Sequence, residues 1–187
     1  MAREFELKYA AKPADLEAIA SAYRDFETIT METTYYDTPE LVLSQQGLTL
    51  RLRLENGRSV CTLKLPGGTD HEEFEVEAED ICQALPVLSA QSRQELPQTE
   101  LIPVCGARFT RRAKLLQLAD CAVELALDSG FLLGGNATAP LCEVEVELKS
   151  GSDTAAAAFA GELAAKYGLA PEPRSKYRRA KQLAKGE

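Results

Sequence analysis

Residues Gly47 to Leu65 read G-L-T-L-R-L-R-L-E-N-G-R-S-V-C-T-L-K-L. Leucine alternates with charged residues ahead of Asn56-Gly57, and on a strand residues two apart share a face. An Asn-Gly pair supplies the positive φ angles of a type I′ turn. The segment is therefore predicted as a hairpin over residues 48 to 65. Leu50, Leu52 and Leu54 fall on one face of its first strand, and Arg51 and Arg53 on the other. The returning strand sets Thr62 and Lys64 against Leu63 and Leu65.

The same alternation recurs outward from this hairpin. R-E-F-E-L-K-Y-A, Arg3 to Ala10, interleaves Glu4, Glu6 and Lys8 with Phe5, Leu7 and Tyr9. E-E-F-E-V-E-A, residues 72 to 78, aligns Glu73, Glu75 and Glu77, and residues 142 to 148 align Glu143, Glu145 and Glu147. Residues 27 to 37 are β-branched and aromatic enough for a strand. Further strands are expected at 107 to 118 and 121 to 128, with a turn at Ser129-Gly130 and a return through 141 to 149. Arg111 shares a face with Phe109 and Ala113. Helices are expected from Pro13, from Ser152 as N-cap to Tyr167, and over the basic terminal run R-S-K-Y-R-R-A-K-Q-L-A-K. Residues 80 to 106 lose the period of two and are read as short helices and loop. Many strands broken by few helices, with no βαβ alternation, indicate an α+β protein on an antiparallel sheet or barrel.

At 187 residues, with no composition break to mark a linker, the chain is expected to be a single domain. A net charge of −8 argues against a broad nucleic-acid surface. The start M-A-R-E-F-E lacks the apolar core of a signal peptide, and no apolar run reaches the roughly 20 residues of a membrane span. The 5 cysteines are odd in number and contain no C-x-x-C pair. They read as small buried apolar residues in a reducing cytoplasm. His71 is the only histidine, so a metal here would be held by oxygen, favouring Mg²⁺, Mn²⁺ or Ca²⁺ over zinc.

The charged faces admit two readings. They are ordinary solvated faces, or they point inward in a closed barrel whose basic strands neutralise its acidic ones. Purity of sign favours the second reading, because like charges two apart on a strand repel unless counter-charges sit close. Clustered Arg and Lys bind phosphates and clustered carboxylates bind hard cations, so such a lumen would suit a metal complex of a polyphosphate.

E-F-E-L-K at 4 to 8 resembles the E-x-E-x-K signature of the CYTH superfamily, the triphosphate tunnel metalloenzymes. The resemblance continues through T-Y-Y-D-T-P at 34 to 39, G-L-T-L-R-L-R-L-E-N-G at 47 to 57 and T-L-K at 62 to 64. It extends to E-E-F-E-V-E at 72 to 77, L-A-L-D-S-G at 125 to 130 and C-E-V-E-V-E-L-K-S-G at 142 to 151. It implies an eight-stranded antiparallel β-barrel forming a triphosphate tunnel, flanked by helices and with a C-terminal helix, that works with Mg²⁺ or Mn²⁺. The run is most similar to the bacterial inorganic triphosphatases, which implies a small-molecule triphosphate as substrate. Thiamine triphosphate hydrolysis, class IV adenylyl cyclase activity and a non-enzymatic polyphosphate- or nucleotide-binding module are the alternatives. Many of those triphosphatases carry a C-terminal CHAD domain, and this chain stops before one could fit.

Carried over by position, the resemblance makes Glu4, Glu6, Glu143 and Glu145 metal ligands, with Asp128 as a further candidate. Lys8, Arg51, Arg53, Lys64 and Arg111 would hold phosphate oxygens, and Glu73 and Glu75 would support the basic residues or order water. Glu4, Glu6, Lys8 and Lys64 form the candidate catalytic set. The E-V-E-V-E strand permits Glu143/Glu145 or Glu145/Glu147 as its metal pair. Family members often have a metal-binding Asp where this chain has Ala126, and Arg where it has His71. S-K-Y-R-R resembles the family's terminal helix, and Lys176 is its candidate to reach the tunnel, against the alternative of a solvated basic helix.

Overall fold

The computed structural model describes residues 2–67, 70–97 and 99–186, with the side chains of residues 2–4 and 70–71 outside that description. Strands β1 (Ala2–Ala10), β2 (Glu27–Asp37), β3 (Thr49–Glu55), β4 (Arg58–Lys64) and β5 (Asp70–Glu77) make up the first half. Strands β6 (Ile102–Gln117), β7 (Cys121–Gly134) and β8 (Ala137–Gly151) are longer, and β9 (Ala170–Pro171) is a short addition. Helices α1 (Pro13–Tyr23), α2 (Val42–Gln45), α3 (Ile81–Ser92), α4 (Asp153–Tyr167) and α5 (Lys176–Lys185) connect and cover them.

The β3/β4 hairpin forms as read. Asn56 and Gly57 take φ 50° and 87°, and Arg51 pairs with Thr62 while Leu50 pairs with Leu63. The sheet order is β5-β4-β3-β2-β6-β7-β8-β1-β9, with a further pairing of β1 on β5. Residues 6–10 of β1 pair with β8, and residues 2–5 pair with β5, so the two ends of the sheet meet over the first half of β1 only. Over its last residues β1 pairs with β9 on Pro171 and Ala170. The antiparallel barrel-like sheet therefore has a ninth strand beside an eight-strand ring, and a seam that is only partly joined.

The apolar faces point outward and are roofed by helices. Val123, Leu125, Leu127, Val144 and Val146 are buried with α1 and α4 residues such as Leu16, Ile19, Ala160 and Leu163. Leu50, Cys61, Leu63 and Phe74 pack with Ile81, Ala84 and Leu88 of α3. The N-cap hydroxyl of α4, Ser152 Oγ, accepts from Ala155 N at 3.2 Å, satisfying one of the orphan donors at that end.

The expected turn at Ser129-Gly130 is not there. β7 runs on to Gly134 and β8 begins at Ala137, which lengthens both strands. Gly130 pairs with Phe109 on one side and Leu141 on the other, and a Cβ on it would lie 2.2 Å from Arg108 O. This glycine admits a close strand contact, not a reversal. β6 likewise begins at Ile102, five residues before 107, the expected start, and pairs with the end of β2 past an irregularity at Tyr35/Tyr36.

The inner face is not charged throughout. Met31, Tyr35, Ala107, Phe109 and Leu132 form a third apolar cluster that receives Ala180 of α5. A Cβ on Gly134 would lie 2.4 Å from Ala180 O and 2.5 Å from Ala184 N, so the missing side chain lets the helix backbone seat against β7. In this way α5 carries its N-terminal side chains into the charged part of the interior.

Candidate active site

The inner faces enclose a cavity of about 1410 Å³. Arg51, Arg53 and Lys64 line it on the hairpin side, and Glu6, Arg111 and Glu145 on the other. The two sides differ in sign for the reason legible in the strands: residues two apart share a face, so β3 delivers paired arginines and β8 paired carboxylates.

On the acidic side Asp128 pairs with Glu143 and Ala126 with Glu145 across β7 and β8, which clusters three carboxylates. One oxygen from each of Asp128, Glu143 and Glu145 lies within 4.8 Å of the others. All three residues are buried, Asp128 and Glu143 completely. The arrangement holds because cations surround it. Arg111 donates to both Asp128 oxygens at 2.8 Å and also to Glu145. Lys176 Nζ lies 2.8 Å from Asp128 Oδ2 and 2.7 Å from Glu145 Oε1, and it contacts Glu143 as well. Arg179 donates to the second oxygen of Glu143. Lys8 Nζ bridges from Glu6 at 3.1 Å to Glu145 at 3.9 Å.

These contacts decide the protonation states. Burial alone would raise Glu145, but Lys176, Arg111 and Lys8 outweigh it and hold the carboxyl well below its usual range. For Lys176, burial works against the charge, yet Asp128, Glu145 and Glu143 hold the ammonium well above its ordinary value. Burial likewise opposes the charge on Lys8, and Glu6 and Glu145 overcome it, so Lys8 is raised. Glu143 moves the other way: burial outweighs Lys176 and Arg179 and raises its carboxyl, so this acid holds a proton more readily than Glu145 beside it.

On the basic side the pairing is uneven. Arg51 Nη2 lies 3.9 Å from both Glu73 and Glu75, whereas Arg53 Nη2 pairs closely with Glu55 at 2.5 Å and lies 3.7 Å from Glu75. Lys64 contacts Glu73, and Thr62 Oγ1 donates to Glu75 at 3.0 Å. The Nε atoms of Arg51 and Arg53 are buried and have no hydrogen-bond acceptor among the described residues. Burial and the neighbouring Arg51 push Arg53 down to about 10. Two buried guanidinium groups with unanswered donors beside an open cavity are equipped to receive an anion.

Most candidates read from the sequence converge on the cavity, with some redistribution. Glu6, Lys8, Arg51, Arg53, Lys64, Glu73, Glu75, Arg111, Glu145 and Lys176 all line it. Asp128 and Glu143 join Glu145 behind them, which selects Glu143/Glu145 over Glu145/Glu147 as the clustered pair and places Asp128, not position 126, with them. Glu147 sits instead beside Lys149, which donates to it at 2.7 Å. Arg111 and Lys176, expected to face phosphate, are engaged with carboxylates. Glu4 lies in β1 opposite His71, but the side chains of both are outside the described residues. Arg179 was not among the sequence candidates, although it follows Lys176 by three on a helix and so shares its face.

The stretch T-Y-Y-D-T-P proves to be scaffolding. Asp37 is fully buried and accepts from Thr38 N, Leu43 N and Ser44 N at 2.8 to 3.1 Å, fixing α2 beside the mouth of the cavity. Ser44 Oγ in turn lies 2.6 Å from Tyr177 Oη, tying α2 to α5.

Three carboxylate oxygens within reach of one point, with no histidine or cysteine ligand beside them among the described residues, fit a hard divalent cation such as Mg²⁺ or Mn²⁺. Lys176 Nζ lies at the cluster, so a cation there and this ammonium would compete for the same oxygens.

A barrel-like antiparallel sheet with a basic wall facing a carboxylate cluster is a tunnel fold with a charged interior. A CYTH domain profile matches residues 2–180, and the chain belongs to this family. It is 30% identical over 165 residues to the inorganic triphosphatase of Haemophilus influenzae, a match that covers 81% of this chain and 47% of that protein. The chain thus spans about half the length of this curated relative. In fold it is similar to an adenylyl cyclase candidate from Hippeastrum, described as having a dominant triphosphatase activity, with TM-score 0.67, 15% identity and coverage of 99% and 96% of the two chains. It is also similar to an adenylate cyclase candidate from Bacillus halodurans, with TM-score 0.65, 16% identity and coverage of 94% and 96%. No helix among the described residues is long and apolar enough to cross a membrane.

Proposed function

We propose that the chain is a metal-dependent phosphoanhydride hydrolase that converts inorganic triphosphate to pyrophosphate and phosphate. The observation that carries this reading is the pair of buried Nε atoms of Arg51 and Arg53, without acceptors among the described residues, in a cavity also lined by Glu145, the least buried member of the Asp128/Glu143/Glu145 cluster. Membership in the CYTH family and the likeness to a bacterial inorganic triphosphatase support it.

In this reading Arg51, Arg53 and Lys64 receive the non-bridging oxygens of the triphosphate, and Glu73 and Glu75 keep those cations oriented. Asp128, Glu143 and Glu145, with Glu6 nearby and Glu4 on the same strand, would hold Mg²⁺ or Mn²⁺, which supplies charge neutralisation and activation of a water molecule. A bond forms from the water oxygen to a terminal phosphorus and the bridging P–O bond breaks, so that pyrophosphate leaves. The fixed positive charge of Arg51, Arg53, Lys64 and Lys8 stabilises negative charge as it shifts to the leaving oxygen. Because those groups are already placed by strand pairing, little reorganisation is needed when substrate arrives.

A cyclase reading would require a place for adenine. Tyr177, which lines the cavity, is already engaged, with its ring 5.1 Å from that of Tyr35 and 5.4 Å from Lys181 Nζ. A phosphate-release panel of triphosphate, thiamine triphosphate, ATP and pyrophosphate with Mg²⁺ and with Mn²⁺ tests the substrate. Turnover is expected to be greatest with triphosphate, and release of cyclic AMP from ATP as the dominant reaction would contradict the proposal.

A further inference from the structure

A second cavity, of about 610 Å³, opens beside the first, between α5 and the segment from α2 to the start of β3. Gly47, Thr49, Tyr177 and Arg178 line both cavities, so the two adjoin along these residues. On the α5 side the second cavity presents Arg178, Lys181 and Lys185, spaced three and four apart and therefore on one helix face. At 1.5 Å per residue this face runs about 10 Å outward from the tunnel. No acidic residue lines it among the described residues, in a chain whose net charge is −8. Arg178 and Lys185 are exposed and form no ion pair among the described residues. Among the described residues Lys181 contacts neutral groups, Ser44 Oγ and the Tyr177 ring.

A basic stripe free of carboxylates, leading out of a cavity suited to phosphate, is a track for further negative charge. We infer that this groove binds the continuation of a linear inorganic polyphosphate longer than triphosphate, with one chain end seated in the tunnel. The inference rests on the phosphate-binding reading of the tunnel given above. A nucleoside fits the groove poorly, since Tyr177 is the only aromatic residue that lines it among the described residues and its ring already contacts Tyr35 and Lys181. A repeating polyanion needs no stacking surface, only cations at intervals and room to extend. Ser44 and Gln182 add neutral hydrogen-bonding groups along the same track.

The test is calorimetric binding of tripolyphosphate, a medium-chain linear polyphosphate and ATP to the full chain and to Lys185→Glu, with phosphate release measured in parallel. Lys185 is exposed and lies outside the tunnel lining, so the substitution leaves the fold and the tunnel in place. The longer polyphosphate is expected to bind the native chain more tightly than tripolyphosphate. Lys185→Glu is expected to weaken that binding about fivefold while leaving tripolyphosphate unchanged. Arg178→Gln, which lines both cavities, is expected to weaken both ligands. Equal affinity for the two chain lengths, no effect of Lys185→Glu, or a gain with ATP equal to that with the longer chain overturns the groove. If triphosphate is hydrolysed without any chain-length preference, the groove fails and the hydrolase stands. If the longer chain binds with the expected sensitivity and nothing is hydrolysed, the groove stands and the hydrolase fails.

Discussion

Lys176 Nζ lies 2.7 Å from Glu145 Oε1, so the first residue of the C-terminal helix sits inside the carboxylate cluster of the tunnel. One ammonium thereby joins the position of α5 to three buried acids at once. Without it, Asp128, Glu143 and Glu145 would depend on Arg111, Arg179 and Lys8 alone. Lys176→Met should lower the melting temperature in metal-free buffer by about 10 °C, since breaking a buried charge cluster costs several kcal/mol. Mg²⁺ should restore much of the loss and bind the variant more tightly than the native chain, because no ammonium competes. Differential scanning calorimetry with and without Mg²⁺ checks this, and unchanged metal affinity would show that Lys176 is not a competitor.

Arg53→Ala removes a buried guanidinium whose Nε has no acceptor among the described residues. A charge-assisted contact to substrate is worth about 2 kcal/mol, so KM for triphosphate should rise about thirtyfold. The free protein should also lose some stability, because Arg53 Nη2 pairs with Glu55 at 2.5 Å. Steady-state kinetics beside a thermal melt separate these two outcomes.

Glu145→Gln keeps the shape of the side chain but removes the charge that Lys176, Arg111 and Lys8 surround. Turnover should fall by about a hundredfold or more while binding of triphosphate, measured calorimetrically, persists. Loss of binding with intact turnover per bound substrate would assign Glu145 to the phosphate side of the tunnel instead.

Glu172 fastens the segment that leads into α5. Its carboxylate accepts from Arg174 N at 3.0 Å and from the Arg174 guanidinium, and its own N–H donates to Lys8 O. The Arg174 side-chain bonds carry the carboxyl down to about 2 from the ordinary 4.5. A lowered folded-state pKa stabilises above the unfolded value and loses that contribution as pH falls through the folded one. Glu172→Gln should therefore melt lower than the native chain at neutral pH. The gap should close as pH drops from about 4.5 toward about 2. Arg174 is half exposed, so the effect should be small and should shrink further at high salt.

Gly130→Ala tests the strand register. With Arg108 O at 2.2 Å from the added Cβ, β6 and β7 cannot keep their spacing, and the cost should be at least about 2 kcal/mol. A substitution tolerated without loss of stability would return residues 129–130 to a turn.

The hairpin at residues 48 to 65 was legible because two independent signals, the period of two and the Asn-Gly turn, agree on one register. The basic wall followed from it, since Arg51 and Arg53 must share a face. Glu143 and Glu145 were legible as a pair, but their choice over Glu147 depended on the pairing of Asp128 with Glu143 across two strands, which no local pattern encodes. Gly130 was misread because a glycine that permits a close contact and one that permits a turn look alike in sequence. The seating of α5 was least legible. A helix rich in Lys and Arg reads as solvated, and only the small residues Gly134 and Ala180, distant in sequence, let it enter the barrel. The spacing of Lys176 and Arg179 was the one local sign of an inward face.

The central claim is that the Arg51/Arg53 wall and the carboxylate cluster act together on one triphosphate, and phosphate release from tripolyphosphate before and after chelation tests it most directly. The native chain should release phosphate with Mg²⁺ or Mn²⁺, lose that activity with EDTA and recover it when the cation is restored. Activity unaffected by EDTA, or no release from tripolyphosphate with either cation, would contradict the account.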